Sequence, residues 1–340
     1  MKPTQAILLV GGRGTRMWPL TAEMPKGLLP LAGLPFVDYQ ISRLAEAGVE
    51  EVVLAVDTEH RHAWEEYAAG VKGVAARLSV EQERLDTGGP VRALLDDLDD
   101  VFFVLNGDVV VRTDLSRLAE AAPDDASATL ALVEVEDTSA YGVVVTDDSG
   151  MVERFVEKPD PRDAPARTVN AGIYVMRREA VSRYGPGPLS FERVVFPDLV
   201  ADGRLAGVVV DAAWIDIGTP PLYLDTHHEI LAERGRPHVA PDGVAQHGAW
   251  VWVDPDVAIA PDARVADSVV LGGAVVEEGA VVERAIVGWG ARIGPGAVVT
   301  GDTLVGPRAV IGADCELDQG MRVAPDATLG ERAVTFRPPD

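Results

Sequence analysis

The stretch AILLVGGRGTRMWPLTAEMPKGLLP (Ala6–Pro30) decides how the chain is read. Ala6–Val10 is an unbroken apolar run, short enough for a strand buried on both faces. It runs straight into three glycines within four residues, Gly11, Gly12 and Gly14, with Arg13 and Arg16 close by. A hairpin turn needs one or two glycines; three imply that backbone comes close to something. Two arginines imply that the something is anionic. A phosphate-cradling loop is the expectation. No Gly-Lys-Ser/Thr closes it, so it is not a P-loop. Gly12-x-Gly14 continues to Met17 where a dinucleotide fingerprint needs glycine. Lys26, flanked by Pro25 and Gly27, reads as a cation held in a fixed, non-helical segment.

Outward from this loop, residues 1 to about 230 alternate strand and helix signals. Val52–Val56 and Val101–Leu105 are short apolar runs typical of buried parallel strands. Val37–Ala47 has helical spacing and ends at Gly48, and helix-like stretches lie near His62–Ala69 and Pro90–Leu98. This order predicts an α/β, Rossmann-like sheet with helices on both faces. Thr129–Val135, Gly142–Thr146 and Val152–Val156 look like hairpin strands, so the sheet is expected to be mixed.

From about Ala249 the pattern changes. Val287, Ile293, Val299, Val305, Ile311, Leu317, Val323 and Leu329 recur every six residues. Val253, Ile259, Val265 and Leu271 keep the period in another phase, with the slip placed near Glu277–Ile286. A sustained six-residue period predicts a parallel β-helix of the left-handed, hexapeptide-repeat kind, with a column of stacked aliphatics as its core. The domain reading is therefore 1–232 for an α/β domain, 233–248 for a linker and 249–335 for the coil. The coil is read as structural, serving oligomerisation or packing. A catalytic coil of the acyltransferase type would need a histidine on its wall, and the last histidine is His247.

Bulk properties narrow the partners. A formal charge of −24 argues against nucleic acid and anionic membrane, since both would repel the chain. Of 30 lysines and arginines only four are lysine, which singles out Lys26 and Lys158. One cysteine, Cys315, excludes an intrachain disulfide framework and a multi-cysteine metal site. No apolar run reaches a membrane-spanning length and no signal peptide opens the chain, so a cytoplasmic protein is expected.

Two carboxylates stand where α/β sheets place ligands: Asp108 in VLNGD and Asp216 in WIDIG, each past an apolar stretch. In a chain that handles phosphates they suggest a magnesium site, because magnesium takes one or two carboxylates plus phosphate and water. His60, His62, His227 and His228 lie in hydrophilic, helix-like stretches and are read as surface residues. FVEKP (Phe155–Pro159) sets Glu157 and Lys158 at a strand end, and NAGIYVM (Asn170–Met176) enters another strand.

Taken together, these motifs resemble the sugar-1-phosphate nucleotidyltransferases. Gly11–Pro30 is similar to their GGxGTRLxPLTxxxPKxLxP signature, with Met17 for leucine and Gly27 where proline is frequent. LNGD, YGVVV (Tyr141–Val145), FVEKP, NAGIYV and WIDIGTP follow in family order, and the hexapeptide tail resembles that of the mannose-1-phosphate guanylyltransferase branch. The resemblance implies a Mg2+-assisted transfer of a nucleotidyl group from a nucleoside triphosphate to a sugar 1-phosphate, best matched by GTP and mannose 1-phosphate. It implies that Val10, Gly11, Gly12, Gly14, Thr15 and Gly88 line the nucleotide, with Glu81 reading the base. Arg16, Lys26 and Lys158 would be the catalytic cations, and Asp108 and Asp216 the metal carboxylates. Gly142, Glu157, Asn170 and Gly172 would line the sugar pocket. A homo-oligomer, formed through or packed by the β-helix, is also implied.

One position departs: Asp86 stands where LGTxG-type relatives often carry glycine. The open alternatives are an adenylyl- or thymidylyltransferase, or an enzyme for glucose, heptose or cyclitol 1-phosphate. A silent sugar-nucleotide-binding homologue is a further alternative.

Overall fold

The computed structural model describes residues 2–335 other than 112, 211–213, 243 and 246. It divides into two compact units: Met1–Gly12 with Val37–Ile215, and Arg13–Phe36 with Asp216–Asp340. The glycine loop is thus cut between Gly12 and Arg13.

The first unit is built on a nine-stranded mixed sheet. Its strands are β1 (Gln5–Leu9), β2 (Glu51–Asp57), β3 (Ala75–Glu81), β4 (Val101–Asn106), β5 (Ala128–Glu134), β6 (Gly142–Thr146), β7 (Val152–Glu157), β8 (Thr168–Arg177) and β9 (Leu205–Val209). The main order is β7-β6-β8-β4-β1-β2-β3, with β5 bridging β8 and β9. β1 lies centrally and parallel to both neighbours, Ile7 facing Val53 on one side and Val104 on the other. All three side chains are fully buried. Each such side chain contributes about 1.5–3 kcal/mol by leaving water. The chain winds to β2 and β3 on one side of β1 and then to β4 on the other. That reversal places a crevice at the carboxyl ends of β1 and β4, where the glycine loop leaves.

Between β1 and β2, helix α1 (Phe36–Glu46) buries Phe36, Val37, Ile41 and Leu44. It stops as expected at Gly48, whose φ of +85° suits a left-handed cap. The hairpin reading holds for β6 and β7, which pair antiparallel. It fails for β5, which pairs antiparallel with β8 and parallel with β9. Six of its seven residues are buried, so an internal position suits it better than an edge.

The second unit combines the segment Arg13–Phe36, the helix Pro220–Glu233 and the coil. The helix buries Tyr223, Leu224, His227, Ile230 and Leu231 at three- and four-residue spacing. This corrects the reading of His227 as a surface residue; it acts as a core aromatic, edge-on to Tyr223 and stacked near Trp250. His62 and His228 are exposed as expected.

The coil is a parallel β-helix of three stacked sheets, with six, five and four strands. Val253, Val270, Val287, Val305 and Val323 face one another in successive turns. Ile259, Val276, Ile293, Ile311 and Leu329 form the second column. The third is Val265, Val282, Val299 and Leu317. The first two turns are therefore one residue shorter than the later two. The slip is not one event near Glu277–Ile286 but a residue lost in each early turn, after Val265 and after Val282. Val270, not Leu271, holds the column position, and Val276 and Val282 are the inward residues where a six-residue count from Leu271 falls on Glu277 and Glu283. Within the stretch read as linker, His238–Val239 adds a strand to the first sheet.

Candidate active site

In the second unit the chain after Gly12 makes a tight turn. Gly14 has a φ of +58°, and a Cβ there would meet Thr21 Cγ2 at 2.9 Å and Lys26 Cβ at 3.1 Å. Only glycine fits this left-handed, crowded position. Thr21 Oγ1 donates to Gly14 O at 3.0 Å and closes the loop. Thr15 and Arg16 follow in a short 3-10 turn and are exposed. Lys26 opens the third 3-10 turn of this segment, Lys26–Leu28, after Thr15–Met17 and Leu20–Ala22, which corrects the non-helical reading. Pro25 supplies the extended residue before that turn, and Leu29 N bonds back to Lys26 O.

Lys26 is buried, and its Nζ lies 4.0 Å from Asp216 Oδ1. Gly218 completes the group: a Cβ on it would sit 2.8 Å from Asp216 Oδ1 and 2.9 Å from an Arg16 guanidinium nitrogen. Arg16, Lys26 and Asp216 are thus brought together around a glycine that leaves them room. Gly218 was quoted in WIDIG but not recognised as part of the site.

In the first unit, Val10 is buried and its N–H donates to Ala55 O at 3.0 Å, continuing β1 against β2. Gly11 lies beside the end of β3, a Cβ there falling 3.4 Å from Glu81 Oε1. Gly12 faces open space, with nothing within 4 Å of an added Cβ. Glu81 accepts a hydrogen bond from Leu85 N at 3.2 Å. Burial raises its pKa above the ordinary glutamate value, and nearby Asp57 adds to the shift. Asp86 has a φ of +61° and an exposed side chain that accepts from Thr87 N at 2.9 Å. The position needs left-handed backbone, which glycine takes freely and aspartate tolerates. The departure at Asp86 is therefore conformational, with the carboxylate engaged in its own turn. Gly88 is buried and donates to Leu189 O at 2.7 Å.

Asp108 follows β4, half-buried, after Gly107, whose N–H donates to Leu9 O at 2.9 Å. Gly142 packs against Phe155 and Glu157, a Cβ there meeting Glu157 Oε2 at 3.0 Å. Glu157 pairs with Lys158 at 3.5 Å. Burial raises the Glu157 pKa, opposed by Lys158 and aided by Glu192. Lys158 has a φ of +47° and a largely exposed side chain. Asn170 caps a bulge in β8, its Oδ1 accepting from Gly172 N at 3.0 Å and its Nδ2 donating to the Tyr174 hydroxyl at 3.0 Å.

Glu192 escaped the sequence reading. It sits in a π-helical turn, Phe191–Val195, and accepts from the hydroxyls of Thr87 (2.7 Å) and Ser190 (3.0 Å). π-turns concentrate at functional sites, but no local sequence signal marks one.

Asp108 and Asp216 offer hard carboxylate oxygens, the donor type that magnesium prefers. Among the described residues one further group of three potential ligands occurs, Asp57, Glu59 and His60. There Asp57 Oδ1 accepts from His60 N at 2.9 Å and stands 3.3 Å from His60 Nδ1, a turn at the start of helix α2 (Arg61–Gly70).

A glycine loop leaving a central parallel strand, cations around it and carboxylates at strand ends define a nucleotide-handling α/β domain, here joined to a β-helix. The chain belongs to the nucleotidyl transferase family, which matches residues 5–233. Residues 238–335 match the family described as GMPPB C-terminal domain. Among curated relatives, mannose-1-phosphate guanylyltransferase of Mycobacterium tuberculosis is 40% identical over 63% of this chain and 61% of its own length, just under two thirds. Mannose-1-phosphate guanyltransferase of Neurospora crassa is 36% identical over 75% of this chain and 73% of its own. HddC from Yersinia pseudotuberculosis, solved in complex with GMP-PN, superposes with a TM-score of 0.58 at 25% identity, covering 66% of this chain and 99% of that one. Among the described residues no helix is long and apolar enough to cross a membrane.

Proposed function

We propose that this chain transfers a guanylyl group from GTP to mannose 1-phosphate, releasing pyrophosphate and forming GDP-mannose. The observation that carries the base assignment is Glu81, a half-buried carboxylate beside Gly11 at the end of β3. An ionised carboxylate accepts the two parallel donors of guanine, N1–H and N2–H2; an adenine edge does not offer that pair. The guanylyltransferase relatives and the GMP-PN-bound HddC support the same base.

The sugar phosphate is the nucleophile. Its second pKa is near ~6, so it is largely dianionic at neutral pH and needs no general base. Repulsion between polyanions is the obstacle: two unit charges at 4 Å repel by about 4 kcal/mol at an effective dielectric of 20. Arg16 would hold the departing β- and γ-phosphates, Lys26 the α-phosphate and Lys158 the sugar phosphate. Gly11, Gly12, Gly14 and Thr15 would add backbone and hydroxyl donors, while Val10 and Gly88 flank the nucleotide. Gly142, Glu157, Asn170 and Gly172 would orient the sugar. Asp108 and Asp216 would each offer an oxygen to Mg2+, which when bound neutralises phosphate charge. Catalysis is then positioning and electrostatic stabilisation of an in-line displacement.

Pyrophosphate release from a panel of four triphosphates against mannose, glucose, heptose and cyclitol phosphates tests the assignment. GTP with mannose 1-phosphate should give the highest kcat/KM; a higher value for another pair reassigns the substrates. The expected homo-oligomer is tested by sedimentation equilibrium of the full chain, where a monomer mass would refute it.

A further inference from the structure

The coil had been expected to serve assembly or packing alone. Within the second unit it also grips the signature segment. Arg322, on a coil strand, donates from one guanidinium nitrogen to Arg16 O and Trp18 O, both at 2.7 Å. One carbonyl belongs to the middle residue of the 3-10 turn Thr15–Met17, Arg16 itself, and the other to Trp18, the residue that ends the turn. On a neighbouring turn of the coil, Arg308 stands at a left-handed corner with a φ of +56°. It binds both carboxylate oxygens of Glu23 while also pairing with Asp326. Farther along the segment, Gly33 lies against the Trp252 ring, whose Cη2 would stand 2.7 Å from a Cβ added at that position.

We infer that Arg322 is a positioning residue for the reaction: it sets the Thr15–Met17 turn from behind and so aims the Arg16 side chain at the triphosphate. The inference rests on the role given to Arg16 above. The physical reason is the turn itself. A three-residue 3-10 turn holds itself by few hydrogen bonds, here Met17 N to Gly14 O at 2.8 Å and a long 3.3 Å bond from Trp18 N to Thr15 O. Its outward carbonyls would otherwise bond to water, leaving an exposed arginine on a loosely held backbone. A guanidinium bridging two carbonyls fixes both at once, and its planar fork loses little freedom in doing so. Glu23–Arg308 anchors the same segment seven residues farther on, so the turn cannot relax by sliding along the chain.

The test compares full-length Arg322→Ala, Arg322→Lys and Arg16→Ala with a control, Arg292→Ala, whose partner Glu277 lies on the coil itself. Amide hydrogen exchange without substrate reads the tether, and initial rates with GTP or mannose 1-phosphate varied read its consequence. Arg322→Ala should speed exchange at Met17 and Trp18 and lower kcat/KM for GTP about tenfold, the effect of losing one or two hydrogen bonds. The KM for mannose 1-phosphate should stay within about twofold, Arg322→Lys should recover part of the loss, and Arg292→Ala should change neither readout. Unchanged exchange in Arg322→Ala overturns the inference, as does equal loss for both substrates. Faster exchange with native GTP kinetics also overturns it if Arg16→Ala is inactive. If Arg16→Ala is itself fully active, the role of Arg16 under the proposed function is what fails.

Discussion

Lys26 Nζ lies 4.0 Å from Asp216 Oδ1, with about a tenth of each side chain exposed, 11% and 12%. At that separation the two opposite charges stabilise each other, which holds the ammonium in place. Replacing Lys26 by glutamine removes a cation where phosphate charge develops, and turnover should fall by about a hundredfold or more. Arginine should rescue poorly, because Lys26 is buried and a planar guanidinium is bulkier than the compact ammonium it would replace. Steady-state turnover near the native value in Lys26→Gln would show that the α-phosphate is handled elsewhere.

Glu81 should impose both base choice and pH dependence. Glu81→Gln keeps the shape but turns one acceptor into a donor, so GTP should lose on the order of tenfold to a hundredfold in kcat/KM relative to other triphosphates. Burial raises the Glu81 pKa, so protonation begins at a higher pH than for an ordinary glutamate. The carboxylate must be ionised to accept from guanine. KM for GTP should therefore rise as pH falls into that raised range, and in Glu81→Gln this inflection should disappear. A KM profile identical in both proteins would separate Glu81 from the base.

Lys158 and Gly142 should report on the other substrate. Lys158→Ala should raise KM for mannose 1-phosphate by about tenfold while GTP is little affected. Gly142→Ala puts a methyl group 2.7 Å from Phe155 Cζ and 3.0 Å from Glu157 Oε2, so Phe155 must shift and Glu157 give with it. The same KM should rise there too. Titrating each substrate at saturating levels of the other distinguishes the two, and a larger effect on GTP would assign the clamp to the wrong substrate.

Asp108→Asn should cut turnover strongly even at saturating magnesium, and the magnesium concentration for half-maximal rate should increase. Chelation of divalent ions should abolish native turnover and be reversed by added magnesium. Near-native rates in Asp108→Asn would remove this residue from the metal's ligands.

His227 makes acid stability predictable. Its buried ring has a pKa lowered to about 4 by desolvation, while Nδ1 lies 2.9 Å from Tyr223 O. The unfolded chain binds the proton near pH ~6.5. Between those values the unfolded state carries more protons, so stability is fully present above about 6.5 and declines as pH falls towards 4, by about 1.4 kcal/mol per pH unit. Urea midpoints measured across this range should show the slope in the native chain. His227→Phe should flatten it, and an unchanged slope would assign the effect to other groups.

Much of this was legible in the sequence, for identifiable reasons. A buried parallel strand must be apolar throughout and the loop after it must be glycine-rich, so Ala6–Arg16 declared itself. The coil was equally open because each turn repeats the same steric demand. Its phase was misplaced because valines come in pairs, Val269–Val270, Val275–Val276 and Val281–Val282. Either member could face inward, and only the ladder register decides. His227 was misread because flanking polar residues on the helix masked its one buried stripe. Glu192 and Arg322 had no local signature at all: one depends on a π-turn, the other on coil strands bringing residues more than 300 positions apart into contact.

The cut between Gly12 and Arg13 has a consequence for anyone recombining such proteins. Residues 13–36 are early in the chain but physically kin to its end. A chimera that exchanges only the tail would leave Glu23, Gly33 and the Arg16 turn facing an unfamiliar coil, and grafts should succeed when the early segment is transplanted along with it.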